Sequence, residues 1–316
     1  MIRTATKAAL ILMLLWLTGL PDPAAVSAAE HPSAVSQAAA KQPLYIAIII
    51  DDVGNNLARG QRAVNLPAQV TYAVLPYTRF GAELAELAHA RGREVMLHLP
   101  MENTRDMSIG PGGLTESLSK SDFRQALQQA LNAIPHIKGV NNHMGSYLTQ
   151  QTRQMGWVME VLKDQGYYFI DSRTTPRTVA HQMAAIEGLE ASSRDVFLDN
   201  EQDFYHIDQA FNELLDKARK DGTAIAIGHP YRETLEYLEL VLPLLAHQNI
   251  RVVPVSVLLE QEWVKRIQFA QQDSAGIHPA QKKQIPAEPS ATGKASASAK
   301  ARATGVSPLL PASSAQ

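Results

Sequence analysis

The sequence predicts an α/β domain, a closed or nearly closed (β/α) barrel of seven or eight mostly parallel strands. Three observations carry this. Short apolar or β-branched runs recur at 45–50, 70–74, 94–98, 139–141, 168–170, 196–198, 224–227 and 252–255. Longer amphipathic stretches fall between them, at 80–91, 120–133, 151–165, 178–189, 201–221 and 232–248. Strands alternating with helices form right-handed β–α–β units and hence a parallel sheet. Finally, most runs end in a polar side chain, as expected where parallel strands surface on one rim.

Taken in order, the elements carry their own punctuation. The run YIAIII at 45–50 has no polar face, the mark of a strand buried on both sides. It ends in adjacent carboxylates, Asp51 and Asp52, where like-charge repulsion and burial both penalise ionisation. A bound cation would relieve that penalty; a solvated Asp-Asp-x-Gly turn is the alternative. The second run leads to Tyr77, and the helix after it stops at Gly92, a residue suited to a left-handed helix end. The third, EVMLHLPME, delivers His98 and Glu102. A long loop follows, stiffened by GPGGL at 110–114, and long loops on such a rim often act as lids. Ser119 reads as the cap of the helix at 120–133, with an acid in its first turn. Strand four ends in Asn141, Asn142 and His143, and the next helix stops at Gly166. Strand five ends in Asp171 and Arg173, strand six in Asp199 and Asn200, and strand seven in His229. Gly222 closes the helix between the last two. There is no internal repeat.

The chain has 316 residues, enough for one large domain with an ample core. Residues 1–29 have the three parts of a secretory signal. These are Arg3 and Lys7, an apolar stretch at 8–20 too short for a comfortable span, and small residues at 26–29 for cleavage. The mature protein is then expected in the periplasm of a Gram-negative bacterium, with no stable membrane span; an uncleaved anchor is the alternative. No cysteine is present, so no disulfide braces the fold. A net charge of −2 and a pI near 6.6 argue against a nucleic-acid binder held by a global basic field. Residues 30–42 and 270–316, dominated by Ala, Ser, Pro, Gln and Lys, read as a flexible linker and a disordered tail. The folded domain is therefore 43–269.

In a parallel barrel the polar exits share one rim, where barrel enzymes place their chemistry. A carboxylate with two neutral imidazoles suits zinc or a similar divalent ion with one position open to water. Such a site polarises a carbonyl and brings bound water toward neutral pKa. The twinned aspartates suit a division of labour, one holding metal and its neighbour handling a proton. The sequence has no Gly-rich phosphate loop, no serine nucleophile elbow and no cysteine nucleophile, which leaves P-loop phosphoryl transfer and covalent cysteine catalysis unsupported.

The segments IAIIIDDVG, VTYAVLPY, REVMLHLPME, VNNHMGSYLT, YFIDSRTT, VFLDN and AIAIGHP occur in this order over roughly residues 44–259. Together they resemble the divergent polysaccharide deacetylase family, a branch of the carbohydrate esterase superfamily with the NodB-type deacetylase fold. The resemblance implies a distorted (β/α) barrel with a divalent-metal site on its rim. By position, Asp51 corresponds to the family's catalytic base and Asp52 to its metal-binding acid. The usual His-x-x-x-His motif keeps His98 but has Glu102 in the second place. The usual Arg-x-Pro-Tyr segment is replaced by Asn142-His143-Met144-Gly145, so His143 is inferred to supply the missing imidazole. Ile227-Gly228-His229 stands where the family's Leu-x-His motif carries the acid.

These assignments predict a metal site of Asp52, His98 and His143, most readily for zinc, with Asp51 as base and His229 as acid. Glu102 is expected to orient His98, since metal-bound imidazoles normally donate their other nitrogen to a carboxylate or carbonyl. Ligation by Glu102, or a solvated loop acid, are the alternatives. Asn142 is grouped with the supporting residues. Asp171 and Arg173 are expected to pair, Asp199 to cap the following helix or touch substrate, and Tyr77 and Tyr231 to stack on sugar rings or be ordinary loop aromatics. The implied reaction is removal of N-acetyl groups from an amino-sugar polymer such as peptidoglycan, and a glycan is the expected partner. A catalytically silent glycan-binding or scaffold protein that keeps the metal socket is the alternative, and a cell-wall amidase a third.

Overall fold

A computed structural model describes residues 43–275. The strands are β1 (Leu44–Val53), β2 (Thr71–Val74), β3 (Glu94–Met101), β4 (Ile137–Met144), β5 (Tyr168–Asp171), β6 (Ala191–Ser193), β7 (Val196–Phe197), β8 (Thr223–Gly228) and β9 (Ile250–Val252). Every ladder between them is parallel, and the main path runs β6-β5-β4-β3-β2-β1-β8-β7. A strand has two hydrogen-bonding edges. One edge of β1 pairs with β8, and the other is divided, with β9 opposite its first residues and β2 opposite its last. The two ends of the path, β6 and β7, are joined in sequence through Arg194 and Asp195 but by no ladder, so the barrel stays open there. This is the distorted (β/α) barrel that the sequence predicts, with β9 added beside the eight-strand path.

The helices are α1 (Leu57–Val64), α2 (Gly81–Ala90), α3 (Lys120–Ala133), α4 (Thr152–Asp164), α5 (Ala180–Glu187), α6 (Phe204–Asp221), α7 (Arg232–Val241) and α8 (Val255–Ala275). Side chains alternate across a strand, and the core divides accordingly. Ile46, Ile48 and Ile50 join the outer core with residues such as Leu84, Phe123, Leu214 and Leu235 from the surrounding helices. Ala47 and Ile49 face inward with Ala73, Met96, Tyr168, Ile170, Ile225 and Ile227. One step further along the inward row come Asp51 on β1, His98 on β3 and, past the end of β8, His229. The strand interior is thus apolar below and polar at the rim.

The opposite end of the interior is closed by α8, whose Val255, Leu258 and Leu259 are buried in the inner core. Glu94 fastens that end: its carboxylate accepts from Thr71 Oγ1, Tyr168 OH and the N–H and hydroxyl of Ser256. The Tyr168 ring crosses β4 at Gly139, where a Cβ would collide with it.

Three sequence expectations change here. The strand expected at 252–255 lies earlier, as β9 at Ile250–Val252, and Val255 opens α8 with its N–H donating to Thr71 Oγ1 at 3.1 Å. The β-branched residues at 252–255 suggest a strand, but burial at Val255, Leu258 and Leu259 follows helical spacing. Helix α8 also continues to Ala275, past the expected domain end at 269. Helix α1 was not expected, because the face it buries (Gly60, Ala63, Val64) is built of small residues that give a weak apolar signal. The expected signal, the linker and residues 276–316 of the expected tail lie outside the described residues.

Candidate metal centre

The centre sits where β1, β3, β4 and β8 reach the rim. Asp51, 2% exposed, occupies the inward row of β1. Asp52 breaks the alternation. The β1–β2 register shifts between Ile50 and Val53, and Asp52 takes a left-handed φ of +56°. Regular pleating would send its side chain outward with Ile50. The bulge instead brings the carboxylate over the rim, at a backbone cost on the order of 1–3 kcal/mol.

Three ligand atoms meet there. Asp52 Oδ1 lies 3.2 Å from His98 Nε2 and 3.0 Å from His143 Nδ1, and the two nitrogens are 3.1 Å apart. His98 Nδ1 is 2.7 Å from Asn141 Oδ1, and Asn141 Nδ2 donates to Asp51 Oδ1 at 2.7 Å. Since the Asn141 oxygen can only accept, His98 carries its proton on Nδ1 and turns the lone pair of Nε2 toward Asp52 and His143. Asp52 Oδ1 is buried and accepts no well-aimed hydrogen bond. The three donor atoms converge on one point, where a single positive charge, a proton or a metal ion, satisfies all of them. Tetrahedral zinc with bonds of roughly 2.0–2.1 Å places its ligand atoms about 3.3 Å apart. Asp52, His98 and His143 are therefore spaced and oriented to hold a divalent ion, and they form the one such cluster among the described residues.

The electrostatics separate the twin carboxylates. Burial pushes Asp51 above the ordinary aspartate value, against the lowering pull of His98, His229 and Asn141. Burial acts upward on Asp52 too, but the imidazoles of His143 and His98 overcome it and hold Asp52 far below that value. Carboxylates pushed in opposite directions are suited to different tasks. Across the site, His229 Nδ1 lies 2.9 Å from Asp199 Oδ1, while its Nε2 faces Asp52 Oδ2 at 4.0 Å. Burial lowers the His229 pKa, yet the Asp199 hydrogen bond and the charges of Asp199, Asp51 and Asp52 raise it to about 9.

The supporting residues are arranged differently from expectation. Glu102 does not orient His98; Asn141 does. Glu102 lies just past β3, where the chain has joined the loop, and its Oε2 accepts from the Glu116 N–H at 2.7 Å. Asp199 does not cap the helix after it, which is capped by Asp203. It accepts instead from the His229 N–H, His229 Nδ1 and Thr234 Oγ1. Asp171 meets Arg173 through the backbone N–H rather than as an ion pair, and its other oxygen accepts from Thr178 Oγ1. Asn142 ties the ends of β4 and β5, accepting from Ser172 N–H and donating to Met144 O. Tyr231 lies with its ring centroid 5.3 Å from that of His229, and Tyr77 stands 47% exposed at the edge of the rim.

Two residues escaped the sequence reading. Asn141 was visible as a polar strand exit, and its place in the same alternating row as His143 was the available signal. Arg194 gave none. It donates to Ser172 O and Arg173 O and lies 3.7 Å over the Phe197 ring, closing the open seam between β6 and β7.

Two clefts flank Asp52. One, about 170 Å³, is walled by Arg59, His229 and Tyr231; the other, about 260 Å³, runs between His143 and the loop at 108–111. A wider groove, about 860 Å³, lies between α8 and the α5–β6 connection, away from these residues.

The chain is 35% identical over 219 residues to the uncharacterized protein YibQ of Escherichia coli K12, covering 69% of this chain and 68% of that one. It is 32% identical over 219 residues to an uncharacterized Haemophilus influenzae protein, covering 69% and 78% of the two. A crystal structure of an uncharacterized Agrobacterium tumefaciens protein superimposes with a TM-score of 0.67 at 22% identity, covering 69% of this chain and 90% of that one, a likeness of fold. The sequence pattern of the divergent polysaccharide deacetylases matches residues 48–259, which span the barrel from β1 into α8 and include every residue of the metal centre. The chain belongs to the divergent polysaccharide deacetylase family.

Proposed function

We propose that the protein is a metal-dependent hydrolase that removes N-acetyl groups from an amino-sugar polymer, with the glycan of peptidoglycan as substrate. The observation that carries this is the convergence of Asp52 Oδ1, His98 Nε2 and His143 Nδ1 at 3.0–3.2 Å, with the His98 lone pair fixed by Asn141. Family membership supports the reaction type. Residues 1–29 support action in the periplasm.

Asp52, His98 and His143 would hold the ion, and zinc suits their donor set. A bound divalent ion there supplies a Lewis acid for the amide carbonyl and makes water more acidic. The residues do the remainder. Asp51 is buried beside the centre with its pKa raised, which suits a group that takes a proton from the attacking water. Asn141 holds its Oδ1, leaving Oδ2 for that task. His229, pinned through Nδ1 by Asp199, presents Nε2 to the same space, and the Asp199 contact raises its pKa against the pull of burial, which suits a proton donor. It gives its proton to the amine as the C–N bond breaks. The products are acetate and a free amino sugar, so the water is consumed and the protons balance.

The test is metal analysis of the purified chain followed by assay of acetate release from acetylated chitooligosaccharides and peptidoglycan fragments. Near-stoichiometric divalent metal with acetate release is the expected result. Metal binding and glycan binding without acetate or amine would replace the hydrolase with a silent glycan-binding protein. Absence of metal binding would remove both.

A further inference from the structure

Helix α8 closes the inner core with one face and leaves another uncovered. Trp263, Val264, Ile267 and Ala270 recur at helical spacing and line the groove of about 860 Å³ between α8 and the α5–β6 connection. Trp263 is 58% exposed and Val264 41%. Leu189 belongs to the facing wall. Single exposed apolar side chains are ordinary, but several gathered in one groove mark an interaction site. The charged residues of the groove are Glu190 and Glu260, with Arg266 beside them. Burial and the neighbouring Glu260 carboxylate hold Glu190 above the ordinary glutamate value, against the opposing pull of Arg266. The groove is therefore suited to an apolar ligand that brings positive charge with it.

Residues 276–316, outside the described structure, carry that chemistry. They hold five Lys and Arg against one Glu, so their charge complements Glu190 and Glu260. Val306, Leu309 and Leu310 gather their large aliphatic side chains, and Pro308 and Pro311 set the two leucines in a Pro-x-x-Pro frame. Such segments favour the polyproline II conformation, whose low entropy suits docking in grooves lined by aromatic side chains. A second Pro-x-x-Pro, at 286–289, encloses Ala287 and Glu288, an acid that the groove carboxylates repel. The length of chain also fits. From Trp263 to the end of α8 at Ala275 is about 18 Å of helix. A flexible connection of about thirty residues has a root-mean-square reach of about 30 Å. A tether matched to its span in this way gives a local concentration on the order of millimolar.

We propose that residues 306–311 dock in the α8 groove of their own chain, with Pro308 and Pro311 against Trp263 and the preceding Lys300 and Arg302 toward Glu190 and Glu260. The groove lies away from the metal centre, so the deacetylase reading does not enter. Docking removes the Trp263 and Val264 surface from water together with that of Leu309 and Leu310.

The experiment uses the full chain, which has no cysteine of its own. Ala312→Cys, just past the docking segment, is paired with Ala270→Cys in the groove and separately with Leu240→Cys, an exposed position on α7. Under mild oxidation the groove pair is expected to close a disulfide within one chain at least about tenfold faster than the α7 pair. Leu309→Ser, and Pro308→Ala with Pro311→Ala, bring the groove pair down to the α7 rate; both variants leave the barrel untouched. Pro286→Ala with Pro289→Ala does not. Glu190→Gln with Glu260→Gln slows the groove pair severalfold at low salt and has less effect at high salt. Equal rates for the two pairs, or an undiminished groove rate in Leu309→Ser, overturn the docking. Disulfides that form between chains rather than within one overturn it too and assign the groove to a second copy.

Discussion

Nδ1 of His98 lies 2.7 Å from Oδ1 of Asn141, and this contact settles which nitrogen of the imidazole is available to a metal. The same amide donates to Asp51, so the ligand and the proposed base are positioned by one side chain. Asn141→Ala is expected to weaken metal binding 10- to 100-fold, the usual effect of losing a partner that orients a ligand. It also leaves a buried Asp51 oxygen without its donor, which destabilises the fold by about 1–3 kcal/mol. Competition with a chelator measures the first and denaturant unfolding the second. Unchanged metal affinity would show that His98 needs no such restraint.

Asp51→Asn separates proton handling from metal binding. The amide keeps an oxygen for Asn141 and preserves shape, so metal content is expected to stay near that of the unmodified protein. Turnover is expected to fall about 10²- to 10⁴-fold with the loss of a general base. Full activity in this variant would reject the assignment.

Glu102 offers the opposite contrast. Its carboxylate accepts from Glu116 N–H and holds the loop, so Glu102→Ala is expected to retain metal while losing about 1 kcal/mol of stability. His98→Ala, by comparison, abolishes metal binding. Loss of metal in Glu102→Ala would place this residue nearer the centre than its contacts do.

The pH response of the metal-free protein follows from His229. Its pKa is raised to about 9 from an ordinary value near 6.5. A raised imidazole stabilises the fold fully below pH 6.5 and progressively less as pH passes through about 9. His98, also raised once the carboxylates outweigh its burial, adds a contribution of the same sign. The thermal midpoint in chelator is therefore expected to fall between about pH 6.5 and 9. Asp199→Asn removes the main partner of His229 and flattens that fall. An undiminished slope in the variant would assign the effect to His98.

The linear order of residues was sufficient for the barrel and for the ring of polar exits, because both follow from short-range periodicity. A run such as YIAIII has to be buried on two faces, and strands alternating with helices have to lie parallel. Tertiary structure decided which exits meet. Asp171 and Asn142 sit in the C-terminal halves of their strands just as His98 and Asn141 do, yet they tie turns outside the centre. Pleat parity sorts these cases, but only once the inward face of each strand is known. Asp52 defies parity, since the bulge that turns it over the rim arises from the β1–β2 register, a relation between distant segments. Val255, Leu258 and Leu259 likewise became helix because the open end of the interior needed filling, and no local pattern of β-branched residues records that need.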